Sequence, residues 1–286
     1  MPRTFKKNIW YYLGGTGHMY SRIQELKDYR DIDILFLGSS HAYRGFDTRI
    51  FAEHGLTTFN LGSSNQTPVH AKILLEHHLE SLNPRLVIYE VFPHGFKIEG
   101  IECTLDLIAN DRIDASVIKL ALKEKDIRVI NTLIYGIYRQ ILGKNARYVE
   151  PVYKHGNRYI KGGFVEKDLE YFTGKPYPES KITLREDQLS AFEDAIKMIE
   201  AQGGQVLLVL APVTDDYYKT VLNWDEFDAL MRGYGEYYNF NDIMDIEDTQ
   251  FFYDSNHLNS EGVPLFNEEM IRLIKENQLL SMQDDN

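Results

Sequence analysis

The chain alternates between short apolar runs and longer stretches in which apolar residues recur every three to four positions. Short runs indicate buried strands, and the longer period indicates amphipathic helices. Strands are predicted at 33–38, 57–61, 86–92, 205–211 and 238–243, and helices near 42–53, 68–82, 184–202, 222–233 and 260–277. Because the two kinds of element take turns along the chain, the pattern predicts an α/β fold with a five-stranded parallel sheet and crossover helices.

Residues 96–183 interrupt this alternation. They hold two helix-like runs, at about 113–125 and 127–142, followed by a stretch rich in Gly, Tyr and Lys. We interpret this segment as a mainly helical insertion that caps one domain spanning 31–286, with an N-terminal arm at 1–30 ahead of it.

The insertion has a structural and a functional interpretation. The run 129–138 is apolar around much of its circumference, which favours packing on the main domain. In the functional interpretation the cap roofs a pocket and sets specificity, with Tyr153, Tyr159 and Tyr171 offering flat faces to sugar rings.

Two short segments carry candidate chemistry. Gly38-Ser39-Ser40-His41 follows the first predicted strand, and Asp254-Ser255-Asn256-His257 precedes the last predicted helix. A serine hydroxyl needs an imidazole to accept its proton, and a carboxylate can orient the second ring nitrogen. Loops at the carboxyl ends of parallel strands meet at one edge of the sheet. We therefore predict Ser40 as nucleophile, His257 as base and Asp254 as the orienting group.

Each segment alone also fits a purely structural role. A serine that opens a helix is usually an N-cap, and Asp254 or Ser255 would cap a turn that leaves His257 exposed. The conjunction of the two segments, at opposite ends of an alternating chain, favours the catalytic interpretation. At the carboxyl end of the fourth strand, Thr214 and Tyr217 are expected to line the same pocket.

These segments resemble the SGNH, or GDSL-like, hydrolase family. Gly38-Ser39-Ser40 is similar to the family's Gly-Asp-Ser block with Ser39 in place of the Asp, which makes Ser40 the nucleophile. Asp254 and His257 are similar to its last block, Asp-x-x-His, and the continuation 258–262, Leu-Asn-Ser-Glu-Gly, looks like that of envelope-associated members. The resemblance implies a flavodoxin-like three-layer α/β/α sandwich.

The resemblance also implies an oxyanion hole. In the family's second block a glycine follows the second strand, and the stretch 59–65, Phe-Asn-Leu-Gly-Ser-Ser-Asn, is similar to it. The amides of Ser40 and Gly62 are therefore the expected donors, and Asn65 is expected to add a side-chain donor.

The third block departs from the family pattern. Family members usually carry Gly-x-Asn-Asp after the third strand, whereas this chain continues with Pro93-His94-Gly95. Either Asn65, Gln66 or His94 substitutes for the missing asparagine, or the hole has only two amides. The loss of one donor costs on the order of 100-fold in rate.

This departure looks like the divergent branch that includes the alginate acetylation proteins and the D-alanyl-lipoteichoic acid biosynthesis protein. The resemblance implies a serine-dependent acyl-ester hydrolase or O-acyltransferase that acts through an acyl-enzyme, without a cofactor. Its substrate would be an acylated small molecule, a carbohydrate or a cell-envelope polymer, and its location the cell envelope or another extracytoplasmic site. The alternative is a catalytically weak or inactive carbohydrate-binding module of the same fold.

Composition excludes several other classes. A chain of 286 residues with 43% hydrophobic content can bury a sizeable core, and a net charge of -12 argues against a nucleic-acid surface. The chain has no phosphate-binding glycine loop.

Its single cysteine, Cys103, excludes an internal disulfide and is interpreted as structural. His77 and His78 are adjacent on a predicted helix, so we expect a solvated helix and no metal site.

No membrane span or export signal is expected from the sequence. The chain has no run of 18 apolar residues. Arg3, Lys6 and Lys7 precede the apolar stretch 9–13, but Gly14-Gly15 ends this stretch too early for the core of a signal peptide.

Overall fold

The central element of the computed structural model, which describes residues 8–15 and 17–280, is a five-stranded sheet. Numbered along the chain, its strands are β1 (Ile34–Leu37), β2 (Thr58–Asn60), β3 (Leu86–Glu90), β7 (Gln205–Leu210) and β8 (Glu236–Asn239). They lie in the order β2-β1-β3-β7-β8, and every pairing is parallel. The predicted α/β class and parallel sheet are confirmed, and the strand order is the flavodoxin-like one.

Both faces of the sheet are buried, because successive residues of each strand point to opposite sides. Leu35 and Leu37 of β1 belong to one apolar core, and Ile34 and Phe36 belong to the other. The first core is covered by α4 (Pro68–Leu82), α9 (Glu186–Ala201) and α11 (Trp224–Tyr234), and the second by α2 (Ser40–Gly45), α3 (Thr48–Glu53) and α14 (Gly262–Glu276). The molecule is therefore a three-layer α/β/α sandwich.

Two predicted elements have different bounds. The single helix expected at 42–53 is split in two, because Asp47 caps α3 by accepting a hydrogen bond from Arg49 N. The strand expected at 238–243 ends at Asn239, whose side chain caps the short helix α12 (Phe240–Ile243). In both places a side-chain cap ends one element and starts the next.

Segment 96–183 contains more elements than expected. Helix α6 (Ile101–Asn110) precedes the two predicted helices, α7 (Ala115–Lys123) and α8 (Ile127–Ile141). Three short strands, β4 (Tyr153–Lys154), β5 (Asn157–Ile160) and β6 (Phe164–Lys167), then form an antiparallel sheet. The expectation of a mainly helical insertion missed this sheet, because strands of two to four residues are too short to show a period.

The described part of the N-terminal arm packs on the rest of the molecule. Trp10 N donates to Thr132 Oγ1 of α8, and helix α1 (Met19–Glu25) buries Met19 in the core of the sheet. The remaining short helices are α5 (His94–Lys97), α10 (Asp215–Tyr218) and α13 (Asp248–Phe251). Among the described residues, no helix combines the length and apolar character needed to cross a bilayer. Arg3, Lys6 and Lys7 lie outside the described residues.

Candidate active site

Ser40 is placed by a tight turn at the end of β1. Gly38 in this turn has a φ of 133°, and a Cβ there would lie 2.7 Å from the Glu90 carbonyl oxygen, so the turn requires glycine. Ser39 then caps α2 by accepting from His41 N, which makes Ser40 the first helical residue. Because the strand order changes direction at β1, Ser40 lies at the switch point where such sheets bind ligands.

Ser40, His257 and Asp254 form one chain of hydrogen bonds. Ser40 Oγ lies 2.7 Å from His257 Nε2, and His257 Nδ1 lies 3.0 Å from both carboxylate oxygens of Asp254. Burial acts to raise the pKa of Asp254, but the hydrogen bond and charge of His257 together with two backbone amides outweigh burial and hold the pKa below its usual value. Asp254 is therefore ionised at neutral pH, and His257 has a hydroxyl on one ring nitrogen and a carboxylate on the other.

The loop that carries His257 is held at both ends. Asp254 Oδ1 accepts from His257 N at 2.9 Å, which closes the turn. Asn259 is 1% exposed, and its Oδ1 accepts from Gly262 N at the start of α14. Thr214, expected to line the pocket, is instead fully buried and donates from N and Oγ1 to the Ser255 carbonyl. It supports the loop rather than the pocket.

The other residues predicted for the pocket are also engaged. Tyr217 is half-buried, with its ring 6.1 Å from that of Phe92. The hydroxyls of the three tyrosines proposed as sugar platforms all donate to carboxylates: Tyr153 to Asp168, Tyr159 to Glu25 and Tyr171 to Glu261. Their role in sugar binding stays a prediction.

A second histidine, which the sequence reasoning missed, lies against the first. The His41 ring stacks nearly parallel on His257, with centroids 4.5 Å apart and planes at 13°. Burial, together with nearby His257, holds the pKa of His41 well below its usual value, so His41 stays neutral. Its Nδ1 lies 3.0 Å from Ser39 Oγ, which in turn lies 3.4 Å from Glu90 Oε2.

Glu90 is the buried end of this arrangement. It is 2% exposed, and burial raises its pKa to about 8. Glu90 Oε1 and His41 Nε2 are both buried and have no hydrogen-bond partner among the described residues. A carboxylate at the end of the apolar strand 86–90 was the sequence signal that should have drawn attention to this place.

The predicted oxyanion donors have unequal surroundings. No described group accepts a hydrogen bond from Ser40 N, as befits the first amide of a helix. Gly62 N donates to Asn60 Oδ1 at 3.1 Å, and Asn65 Nδ2 donates to Glu102 Oε2 at 2.7 Å. Both therefore have intramolecular partners, and their oxyanion role stays a prediction.

Gln66 and His94, the other two candidate substitutes for the missing asparagine, also differ in their hydrogen bonds. Gln66 is buried and uses both ends of its amide to hold neighbouring loops, accepting from Gly38 N and donating to the Leu61 carbonyl. His94 is exposed, and no described residue hydrogen-bonds its ring. Partial burial, with a smaller effect of Lys97, lowers the pKa of His94, which keeps the ring neutral at pH 7.

His77 and His78 do not lie on a solvated helix face, as the sequence analysis expected. His77 Nδ1 and His78 Nε2 lie 2.8 and 2.9 Å from the same Asp111 oxygen, and His77 Nε2 lies 3.0 Å from Asp114 Oδ2. The histidine side chains are 0% and 13% exposed. One carboxylate from another segment reaches both helix faces, which adjacency on the helix alone does not reveal.

His77, His78 and Asp111 are the described group whose ligand atoms lie close enough together to hold a metal ion. Each ligand nitrogen that faces Asp111 is already within hydrogen-bond distance of its carboxylate. The group is therefore satisfied as a hydrogen-bonded network, and the absence of a metal stays a prediction. Cys103 is buried, with its Sγ 3.3 Å from Ser63 Oγ, and burial raises its pKa, as suits a structural thiol.

Comparisons with known proteins give likenesses among solved structures. No family model and no curated protein sequence matches the chain. A protein assigned as an acylhydrolase from Bacteroides fragilis shares 13% identity, covering 91% of this chain and 95% of its own, with a TM-score of 0.46. A GDSL-like lipase from Bacteroides thetaiotaomicron shares 12%, covering 91% and 98%, with a TM-score of 0.46. A two-domain esterase active on acetylated mannans shares 12%, covering 98% of this chain but 58% of its own, with a TM-score of 0.44. These likenesses assign no activity to this chain.

Proposed function

We propose that the chain is a serine-dependent acyl-ester hydrolase or O-acyltransferase that acts through a covalent acyl-enzyme. The observation that carries the proposal is the unbroken line of hydrogen bonds from Ser40 Oγ through His257 to Asp254. A hydroxyl on one imidazole nitrogen and a carboxylate on the other are what nucleophilic acyl transfer needs.

In the first half-reaction Ser40 Oγ attacks the acyl carbonyl carbon while His257 Nε2 takes the hydroxyl proton. The tetrahedral intermediate collapses, its bond to the leaving alcohol breaks, and His257 returns the proton to that alcohol. In the second half-reaction water or an acceptor hydroxyl loses its proton to His257 and attacks the acyl-enzyme. The bond from the acyl carbon to Ser40 Oγ then breaks, His257 returns its proton to Ser40 Oγ, and the product is either an acid or a new ester.

Two electrostatic features support His257 as the base. Asp254 is ionised at neutral pH and stabilises the imidazolium that forms during attack. His41, stacked on the same ring, stays uncharged because it is buried, so it adds no positive charge beside the imidazolium.

The oxyanion is held first by Ser40 N, which has no other acceptor among the described residues. Gly62 and Asn65 would contribute by exchanging Asn60 and Glu102 for the oxyanion. We assign His94, whose ring has no hydrogen-bond partner in the described structure, as the substitute for the missing third-block asparagine.

The substrate we propose is an acyl ester of a carbohydrate or cell-envelope polymer. A catalytically weak or inactive carbohydrate-binding module is the second candidate. The observation that favours it is that Gly62 N and Asn65 Nδ2 both have intramolecular partners, which leaves the oxyanion hole incomplete until they are released.

A fluorophosphonate probe separates the two candidates. An enzyme is labelled at Ser40, so the label is lost in Ser40→Ala and kept in the matched control Ser39→Ala. Absence of labelling in the wild type, together with binding to a polysaccharide, would favour the module. Product analysis with p-nitrophenyl acetate as donor, with and without a sugar acceptor, then shows whether water or a hydroxyl completes the reaction.

A further inference from the structure

One cavity among the described residues has a volume of about 860 Å³ and is built by the arm and the insertion rather than by the central sheet. Its walls come from residues 10–15 of the arm, helix α6, and the turn between β4 and β5. Ligand pockets for small molecules typically measure roughly 300–1,000 Å³. The cavity is therefore large enough to hold a ligand of several rings.

Hydrogen bonds tie the cavity walls to the two loops beside Ser40. Asn157 Oδ1, in the β4–β5 wall, accepts from Arg44 Nη1 at 2.7 Å, and Arg44 lies one helical turn after Ser40. Glu102, in the α6 wall, accepts from Ser64 and Asn65 in the loop after β2. The cavity walls therefore contact both loops, which places the cavity next to the candidate active site, although Ser40 and His257 are not among its lining residues.

Asp106 presents an unused carboxylate to the cavity. No described residue donates a hydrogen bond to its side chain or forms an ion pair with it. Burial, with nearby Glu102, raises the pKa of Asp106 to about 7. Gly15 passes close beside it, since a Cβ at Gly15 would lie 2.8 Å from Asp106 Oδ1. This carboxylate is therefore an available acceptor for the hydroxyl or amide groups of a ligand in the cavity.

Aromatic rings also line the cavity. Trp10 and Tyr12 line the cavity, are 44% and 63% exposed, and meet edge to face. Exposed flat rings beside polar groups suit a ligand with one apolar face and a polar edge. The cations nearby are already paired, Lys154 with Glu150 and Arg128 with Asp126, which disfavours a phosphate ligand. A purely apolar acyl chain would leave Asp106 without a partner.

We propose that this cavity is the subsite for the saccharide part of an acylated sugar, with Asp106 hydrogen-bonded to ring hydroxyls and Trp10 and Tyr12 packed on the ring face. The inference rests on the proposed function for its position beside Ser40. It adds that specificity comes from the arm and the insertion, whereas the reacting groups come from the sheet.

Two substrates test the subsite. Partially O-acetylated xylo-, cello- and manno-oligosaccharides occupy both cavity and nucleophile, whereas p-nitrophenyl acetate reaches the nucleophile alone. We expect Asp106→Leu and Trp10→Ala to lower kcat/KM for at least one acetylated oligosaccharide about tenfold to a hundredfold more than for p-nitrophenyl acetate, mainly through KM. The controls Asp31→Asn and Tyr138→Ala, both outside the cavity, should leave this ratio within twofold.

A binding experiment tests the subsite without turnover. Calorimetry of the Ser40→Ala protein with unacetylated xylotriose, cellotriose and mannotriose should show binding that is weakened about tenfold or more by adding Asp106→Leu. A wild type that binds a trisaccharide but hydrolyses no ester overturns the proposed function and keeps the subsite. The opposite result is also possible: the wild type hydrolyses p-nitrophenyl acetate, but Asp106→Leu and Trp10→Ala change neither the ratio of kcat/KM between the two substrates nor trisaccharide binding. This result overturns the subsite and keeps the proposed function.

Discussion

His257 and His77 both pair with an aspartate, yet their second ring nitrogens face different groups. His257 has Asp254 at Nδ1 and the Ser40 hydroxyl at Nε2. His77 has Asp111 at Nδ1 and Asp114 at Nε2. A hydroxyl can give up a proton to a ring nitrogen, whereas two carboxylates can only accept from it. The first arrangement therefore suits a base, and the second suits a cation held in place.

The pKa shifts follow this difference. Burial acts to lower the pKa of His77, but its hydrogen bond to Asp111 and the charges of Asp111 and Asp114 together outweigh burial and raise the pKa above its usual value. His257 lies beside neutral His41, and His41 and Glu90 keep buried atoms without partners. In the described structure the His77 network has no such atom. The candidate active site thus contains buried polar atoms without partners, as do His18, Thr58 and Tyr89 elsewhere in the described structure, whereas the His77 network contains none.

The largest effect is expected from Asp254→Asn, which removes the orienting carboxylate and leaves the base His257 in place. An amide does not stabilise the imidazolium and permits the wrong tautomer, so hydrolysis of p-nitrophenyl acetate should fall by about 10³- to 10⁴-fold in kcat. Asp245→Asn, at an exposed carboxylate nearby in sequence, should retain full activity. A loss of less than tenfold in Asp254→Asn would show that Asp254 does not support His257.

The next effect concerns stability, in Asp111→Asn. This change removes a carboxylate that is 3% exposed and faces two histidines, and it should lower the free energy of unfolding by about 3 kcal/mol in urea denaturation. The exposed control Asp28→Asn should stay within about 0.5 kcal/mol of the wild type.

The pH dependence of that loss follows from the two pKa shifts. Burial acts to raise the pKa of Asp111, but the hydrogen bonds and charges of His77 and His78 together outweigh burial and lower it, while the pKa of His77 is raised. The contribution of Asp111 is present above its ordinary pKa of about 4, and that of His77 below its ordinary pKa of about 6.5. The difference between wild type and Asp111→Asn should be largest between these values. A difference that is constant from pH 4 to 9 would exclude a charged pair.

The smallest effect is expected from Glu90→Gln. Glu90 belongs to the candidate active site, where buried atoms of the described residues have no hydrogen-bond partner. Burial raises the pKa of Glu90 from 4.5 to about 8, so the folded protein holds a proton that the unfolded chain releases. Wild-type stability therefore falls as pH rises between these values. The amide cannot ionise, so Glu90→Gln should gain stability relative to the wild type as pH rises from 5 to 8, measured in urea. If the difference in stability between the wild type and Glu90→Gln were the same at pH 5 and pH 8, Glu90 would not titrate in this range.

Much of the fold was predictable because its signals are local. Apolar runs of the sheet and the period of helices such as α4 are properties of neighbouring residues, and both appear in the structure. The positions of Ser40 at a strand end and of Asp254 three residues before His257 are local as well. Parallel strands then bring such loops to one edge, which is why their meeting was predictable from topology alone.

The sequence by itself determined the alternation of elements and the residue types at the ends of β1 and before α14. Only the tertiary structure decided the partners of Gly62 and Asn65, the stacking of His41 on His257, and the cavity around Asp106. The physical reason is the separation along the sequence between the residues that specify each feature. A strand or a helix turn is specified by residues a few positions apart, whereas a hydrogen-bond partner or a cavity wall depends on which distant segments the packed core brings together.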